Sequence, residues 1–64
     1  MALHIEFDRE TDGRWIADVP ELPGVMVYAD TREQACYRVK ALACRVIEER
    51  RAHGEPAPEL MFAD

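Results

Sequence analysis

The chain contains no serine, and its two histidines, His4 and His53, lie near opposite ends of its 64 residues. Nucleophilic catalysis needs a hydroxyl or thiol beside a general base, and nothing in this sequence resembles such a pair. The three glycines, Gly13, Gly24 and Gly54, are too far apart to form a phosphate-binding loop. We therefore predict no catalytic residues and no cofactor.

Only two cysteines are present, Cys36 and Cys44. Small secreted domains that rely on disulfides usually carry four or more, so both thiols are expected to be reduced. On one predicted helix, their separation corresponds to about 12 Å of axial rise, which is too far for a disulfide. The spacing matches no zinc motif, and we predict no metal site.

Long apolar runs are also absent, since none approaches the roughly 20 residues that span a bilayer. The start, MALHIEFDRE, lacks the basic end and long apolar stretch of a signal peptide. We expect a cytoplasmic protein with no membrane partner. Its length allows one domain, residues 1–64, which buries only about 60% of the surface of its unfolded chain.

Positive charge is scarce in the first half of the chain. The net charge is −5, and residues 1–30 carry seven acids against two arginines. Such a segment repels phosphate and attracts basic partners. The six bases of residues 31–53 are better explained as solvated flanks of a helix than as a phosphate-binding surface. We therefore predict no direct binding of nucleic acid.

Alternation of apolar and polar residues predicts the strands. LHIEFD places Leu3, Ile5 and Phe7 on one face, and RWIADV repeats the pattern after Asp12-Gly13, which is typical of a tight hairpin turn. VMVYA forms a third alternating segment. We expect strands at about 2–8, 14–19 and 25–29, and a short fourth strand at about 59–62.

The prolines of PELPG mark a bend between the second and third strands. Pro20 cannot donate to a sheet ladder, so it ends the second strand, while Pro23-Gly24 is typical of a type II turn. Leu22, between the prolines, is expected to tuck under the sheet edge.

Thr31 opens T-R-E-Q, a capping box in which its hydroxyl accepts from the Gln34 amide and the Gln34 side chain reaches back. We expect a helix at about 32–52. Its apolar stripe consists of Ala35, Val39, Leu42, Ala43 and Val46, with Cys36 and Ile47 at its edge. The predicted fold is α+β: a two-layer β-β-β-α-β sandwich with one long helix packed on an antiparallel-type sheet.

Two surfaces stay uncovered in this fold. Apolar side chains lie on the outer parity of the sheet and on the far side of the helix. Single apolar residues are normal on a surface, but either patch can also mark self-association or partner binding. We expect a homo-oligomer, most simply a dimer. The candidate self-association residues are Tyr37, Ala41, Cys44, Ile16 and Met26.

The segment VPELPGVMVYADTREQA resembles the HicB antitoxin family, whose amino-terminal domain has the pattern W-x-A-x-V-P-x-L-P-G, a short strand, and D-T-x-x-E/Q-A. Ala29 stands where many members carry glycine. The matching positions here are Trp15, Ala17, Val19, Pro20, Leu22, Pro23, Gly24, Asp30, Thr31, Gln34 and Ala35. The resemblance covers nearly the whole chain. It implies a partial ribonuclease H-like domain without nuclease activity, which covers a HicA-type toxin, a small basic protein that cuts messenger RNA.

The acidic residues of the strands raise the question of a nuclease. Two-metal chemistry needs several carboxylates that converge on metals about 4 Å apart, whereas these lie on the polar face that any half-solvated strand shows. We therefore expect a non-enzymatic antitoxin that acts by occlusion, with an orphan oligomeric scaffold domain as the alternative. The candidate partner-binding residues are Glu6, Asp8, Asp18, Glu21, Tyr28 and Asp30.

Overall fold

Three short strands and one long helix make up the fold. The computed structural model describes residues 2–63. The elements in chain order are β1 (Glu6–Arg9), β2 (Trp15–Asp18), β3 (Met26–Ala29) and α1 (Arg32–Ala52). The strands form one antiparallel sheet in the order β1-β2-β3, and α1 packs over β2 and β3. The predicted α+β class is thus confirmed.

A tight turn joins β1 to β2. Gly13 has a φ of +93°, a conformation that glycine adopts without strain, and its N–H donates to the carbonyl oxygen of Glu10 (2.9 Å). The backbone N–H and the Nε of Arg14 both donate to the Asp12 carboxylate, at 3.0 and 2.9 Å. The backbone bond from Arg14, strengthened by its side chain, holds the pKa of Asp12 below its ordinary value.

The bend between β2 and β3 closes over Leu22. The N–H of Leu22 donates to the carbonyl of Val19 (2.9 Å), and the N–H of Val25 donates to the carbonyl of Leu22 (3.0 Å). Gly24 supplies the positive φ, +87°, that the turn requires. Leu22 is fully buried, as the sequence predicted, so this loop contributes a side chain to the core.

Helix α1 begins after Thr31, whose Oγ1 accepts a hydrogen bond from the Gln34 N–H (3.0 Å). This satisfies one of the free donors of the first turn. In the described part of the chain the Gln34 side chain makes no return bond, so only half of the expected capping box forms. After Ala52, Gly54 adopts a φ of +74° and donates to the carbonyl of Arg51 (3.1 Å), which ends the helix.

The core lies between one face of the sheet and one stripe of α1. The helix buries Ala35, Val39, Ala43 and Ile47, whereas Leu42 and Val46, which were expected in the stripe, are only half-buried. The stripe is therefore a row with a spacing of four residues, shifted around the helix from the predicted one. The buried residues are Leu3, Ala17, Val19, Leu22, Val25, Ala29, Ala35, Val39, Ala43 and Ile47.

The fourth strand predicted at 59–62 does not form within the described residues. A single parallel bridge pairs Phe62 with Leu3, and the Leu3 N–H donates to the Met61 carbonyl (2.6 Å). Among the strand's apolar residues only Phe62 packs against the core, while Leu60 and Met61 are exposed, so there is little apolar burial to hold a longer strand. β1 starts at Glu6 instead of at residue 2, because the register would set His4 opposite Pro20, which has no N–H, and the His4 N–H donates to Glu21 Oε1 instead.

Candidate functional site

The sheet face that points away from α1 carries most of the candidate residues. In the register, Glu6 lies opposite Asp18 and Asp18 opposite Met26, while Asp8, Ile16 and Tyr28 form the adjacent row. Successive side chains of a strand alternate between faces, so these two rows share one face. We call this surface the open face, and its residues are Glu6, Asp8, Ile16, Asp18, Met26 and Tyr28.

The open face is acidic at one edge and apolar at the other. Glu6 and Asp8 are exposed on β1, and Asp18 is half-buried on the central strand. On β3, Met26 is 49% exposed and Tyr28 is 40% exposed. The register therefore brings four of the predicted partner residues together with two of the predicted self-association residues, Ile16 and Met26. Residue parity predicted the common face, but the neighbours within it depend on the register.

The three carboxylates of the open face take part in no ion pair within residues 2–63. The pairs found there join His4 to Glu21 and Arg14 to Asp12. Asp8 accepts only a hydrogen bond from the N–H of Arg9 (2.8 Å). Because like charges directly opposite each other destabilise a sheet, the Glu6–Asp18 pair favours the approach of an external cation.

Two arginines near the sheet, Arg9 and Arg32, are held on its other face. The guanidinium of Arg9 lies 5.3 Å from the ring centre of Trp15, and that of Arg32 lies 4.1 Å from the ring centre of Phe7. Both are within the distance of a cation–π contact. These two guanidinium groups are thus held on the helix side and do not neutralise the carboxylates of the open face.

Arg14 is a residue of this region that sequence reasoning missed. Its guanidinium lies 5.0 Å from the ring centre of Tyr28 while it also pairs with Asp12. The contact restrains Tyr28 at the apolar edge of the open face. Its position just before β2, on the same parity as Ile16, was the signal available in the sequence.

An open concavity of about 430 Å³ adjoins the open face at the bend between β2 and β3. Its walls are mostly apolar, and Asp18 and Met26 belong to both the concavity and the open face. A single long side chain of a partner fits such a space, with its stem on the apolar walls and its end near Asp18. The lining residues are Asp18, Val19, Pro20, Leu22, Pro23, Gly24, Val25 and Met26.

Glu21, another predicted partner residue, is bound within the molecule. The backbone N–H of His4 donates to Glu21 Oε1 (3.0 Å), and His4 Nδ1 lies 2.7 Å from Oε2. The backbone bond from His4, followed by its side chain, holds the pKa of Glu21 below its ordinary value. The carboxylate fastens the start of the chain to the proline bend; its role in partner binding stays a prediction.

This clamp makes part of the stability depend on pH. Because the pKa of Glu21 is depressed in the folded state, its ionised form contributes stability above the ordinary pKa of about 4.3, which is lost as the pH falls through the folded value. We expect Glu21→Gln to lower the free energy of unfolding near neutral pH, and the deficit to shrink in acid. Urea unfolding followed by circular dichroism at about pH 7 and about pH 3.5 measures this.

Glu59→Gln is the matched control for this experiment, because the Glu59 side chain is exposed and makes no hydrogen bond or ion pair in the described range. It should leave the free energy of unfolding nearly unchanged at both pH values. A deficit of Glu21→Gln that persists unchanged in acid contradicts the clamp.

The remaining candidates lie outside the open face. Asp30 is exposed between β3 and α1. Tyr37, 77% exposed, and Ala41 lie on the side of α1 away from its buried stripe, so the predicted self-association residues occupy two separate surfaces. Cys44, close to them on α1, donates from Sγ to Glu48 Oε1 (3.4 Å), and this bond raises the pKa of the thiol.

No group of three or more histidine, cysteine or acidic side chains in residues 2–63 is arranged to hold a metal ion. The single described helix, α1, is not apolar enough over a sufficient length to cross a membrane.

Comparison with known proteins gives no family assignment. No protein-family model matches the chain, and neither a curated protein nor a solved structure shows significant similarity to it. The resemblance to HicB antitoxins therefore stays a prediction.

Proposed function

We propose that this domain neutralises a small basic protein by covering part of its surface with the open face and the adjoining concavity. The observation that carries the proposal is the placement of three carboxylates without ion pairs beside the exposed side chains of Met26 and Tyr28. Such a face offers both charge and apolar area to one partner.

The two halves of the open face serve different steps of binding. The carboxylates of β1 and β2 attract a basic surface over a distance and raise the association rate. Methionine and tyrosine are enriched at the cores of interfaces, where burial of their apolar atoms slows dissociation. The contact of Arg14 with Tyr28 holds the ring in place before binding, which lowers the entropy cost of ordering it.

The HicB resemblance names the class of partner. A HicA-type toxin presents a basic surface to RNA, and an acidic face that covers this surface blocks the toxin without chemistry of its own. We therefore propose a non-enzymatic antitoxin domain that uses no cofactor and does not bind nucleic acid directly. Its two unbridged cysteines fit the reducing cytoplasm in which such a toxin acts.

An orphan oligomeric scaffold is the second candidate, and the exposed surface of α1 favours it. Tyr37 and Ala41 project away from the sheet, where a second copy can cover them without touching the open face. The two roles are compatible: a dimer built through α1 leaves both open faces free. The scaffold differs from the antitoxin in having no toxin partner.

Co-expression with a HicA-type toxin encoded beside its gene tests the proposal. We expect the domain to restore growth and to co-purify with the toxin, and light scattering on the eluted peak to give the mass of a complex that contains both chains. A homo-oligomer that leaves the toxin active contradicts the antitoxin role and supports the scaffold. A free monomer beside an active toxin contradicts both.

A further inference from the structure

We propose that the free edge of β1 pairs with an extended, basic segment of the partner, so that the partner adds a strand to the sheet. This inference rests on the proposed function, which supplies a basic partner. It goes further by assigning backbone hydrogen bonds, and not only side-chain charge, to the interface.

The hydrogen-bond pattern shows which groups point to this edge. Glu10 N–H donates to the carbonyl of Arg14 (2.8 Å), in line with the register of the hairpin. Bonded pairs alternate along an antiparallel ladder, so the even-numbered residues of β1 bond to β2. The backbone groups of Ile5 and Phe7 therefore face away from β2.

The tail of the chain already pairs with this edge at one residue, Leu3, which precedes β1. The backbone groups of Leu3 point to the same edge as those of Ile5 and Phe7. The Leu3 N–H donates to the Met61 carbonyl (2.6 Å), and the Leu3 carbonyl accepts from the Ala63 N–H (2.9 Å). This parallel bridge stops at Leu3 within the described residues. The same line of donors and acceptors continues along Ile5 and Phe7.

The opposite edge of the sheet differs because a helix side chain covers it. The bond from the Val19 N–H to the Val25 carbonyl (3.1 Å) shows that the odd-numbered residues of β3 bond to β2. The backbone groups of Tyr28 therefore point away from β2. There Arg38 Nη1 donates to the Tyr28 carbonyl (3.0 Å). At β1 the Arg9 N–H is likewise occupied, by Asp8, but no side chain in residues 2–63 bonds to the backbone of Ile5 or Phe7.

Charge decides between a second copy and a basic partner at this edge. An antiparallel pair of two β1 strands that keeps both open faces on one side places Glu6 opposite another Glu6, an Asp8 or a Glu10, according to the register. Each of these arrangements sets carboxylate against carboxylate, which is destabilising. The register that would set Glu6 opposite His4 also sets Phe7 opposite Leu3, whose backbone already bonds to the tail. A strand with lysine or arginine opposite Glu6 and Asp8 gains attraction in the same positions.

The other face of β1 determines what the alternate residues of the partner strand contact. Phe7 is half-buried on the helix side, and α1 packs over β2 and β3 and leaves β1 at its flank. An apolar side chain beside Phe7 is therefore complementary. The expected partner segment alternates basic and apolar residues.

A synthetic peptide of about eight residues that alternates lysine and valine serves as the probe, since strands of this length are common. We expect saturating peptide to slow hydrogen exchange of the Ile5 and Phe7 amides by about tenfold or more, because these amides become hydrogen-bonded. Two-dimensional NMR of the ¹⁵N-labelled protein measures the exchange. A peptide in which glutamate replaces lysine should give no protection.

N-methylated versions of the peptide separate pairing from simple charge attraction. N-methylation of either the lysine or the valine amides leaves every side chain in place. Only one of the two methylated peptides, however, loses the backbone N–H groups that face β1. We expect one methylated peptide to lose the ability to protect the Ile5 and Phe7 amides and the other to retain it.

Equal binding of the unmodified peptide and both methylated peptides, or binding without protection of Ile5 and Phe7, overturns edge pairing but leaves the proposed function standing. Absence of binding by the unmodified peptide overturns the edge inference as well. If the peptide protects these amides but the toxin is not neutralised, only the proposed function fails.

Discussion

Leu22→Ala is expected to remove about half of the free energy of unfolding. Leu22 is fully buried beneath the proline bend, and truncating such a leucine costs about 2–5 kcal/mol. A domain of this length has a total stability of roughly 3–10 kcal/mol, at 0.05–0.15 kcal/mol per residue. Urea unfolding followed by circular dichroism should therefore show a large shift of the midpoint to lower denaturant.

Leu60→Ala is the matched control because the same group is removed from a side chain that is 46% exposed on the tail. Its expected effect is within about 0.5 kcal/mol of zero. If the two variants unfold at similar urea concentrations, the bend does not hold a core side chain and the account of the loop is wrong. Leu22 also lines the concavity, so a folded remnant of Leu22→Ala should bind the partner less well.

The burial of Leu22 could be predicted because local chemistry determines it. Pro20 ends the strand and Pro23-Gly24 sets the turn. Leu22 is the one large apolar residue between them, so it is the side chain that the bend is expected to bury. The three strands and α1 could be predicted for the same reason, since period-two alternation and the Thr31 cap are local signals. Which residues of α1 are buried could be predicted only in part, because burial of Leu42 or of Ile47 depends on how α1 lies across the sheet.

What could not be predicted depends on contacts between distant parts of the chain. ELMF has the composition of a short strand, but whether it pairs is decided by the apolar area it can bury, and only Phe62 reaches the core. The contact of His4 with Glu21 could not be predicted for the same reason, and the role of Glu21 in partner binding stays a prediction. Residues of the open face were likewise predicted to serve two different functions, partner binding and self-association. Which of their side chains are neighbours across the strands follows from the register.

Charge reversal on the open face is the sharpest test of how the partner is captured. We expect the triple variant Glu6→Lys, Asp8→Lys, Asp18→Lys to slow association with a basic toxin about 100-fold at low salt, since electrostatic steering changes association rates by factors of about 10–10³. The wild-type rate should fall steeply as salt is added, whereas that of the variant should not fall. Stopped-flow or surface-based kinetics at several ionic strengths measures both effects.

We expect the position of the reversed charges to matter more than the change in net charge. A second triple variant separates the two effects. Glu49→Lys, Glu55→Lys and Glu59→Lys make the same change in net charge on exposed residues at the end of α1 and in the tail, outside the open face. Because exposed charges farther than a Debye length of about 10 Å from the contact are largely screened at 0.1 M salt, this variant should keep most of the wild-type rate under those conditions. Circular dichroism should confirm that both triples fold. If they slow association equally, net charge alone drives capture, and the carboxylates of the open face have no special role.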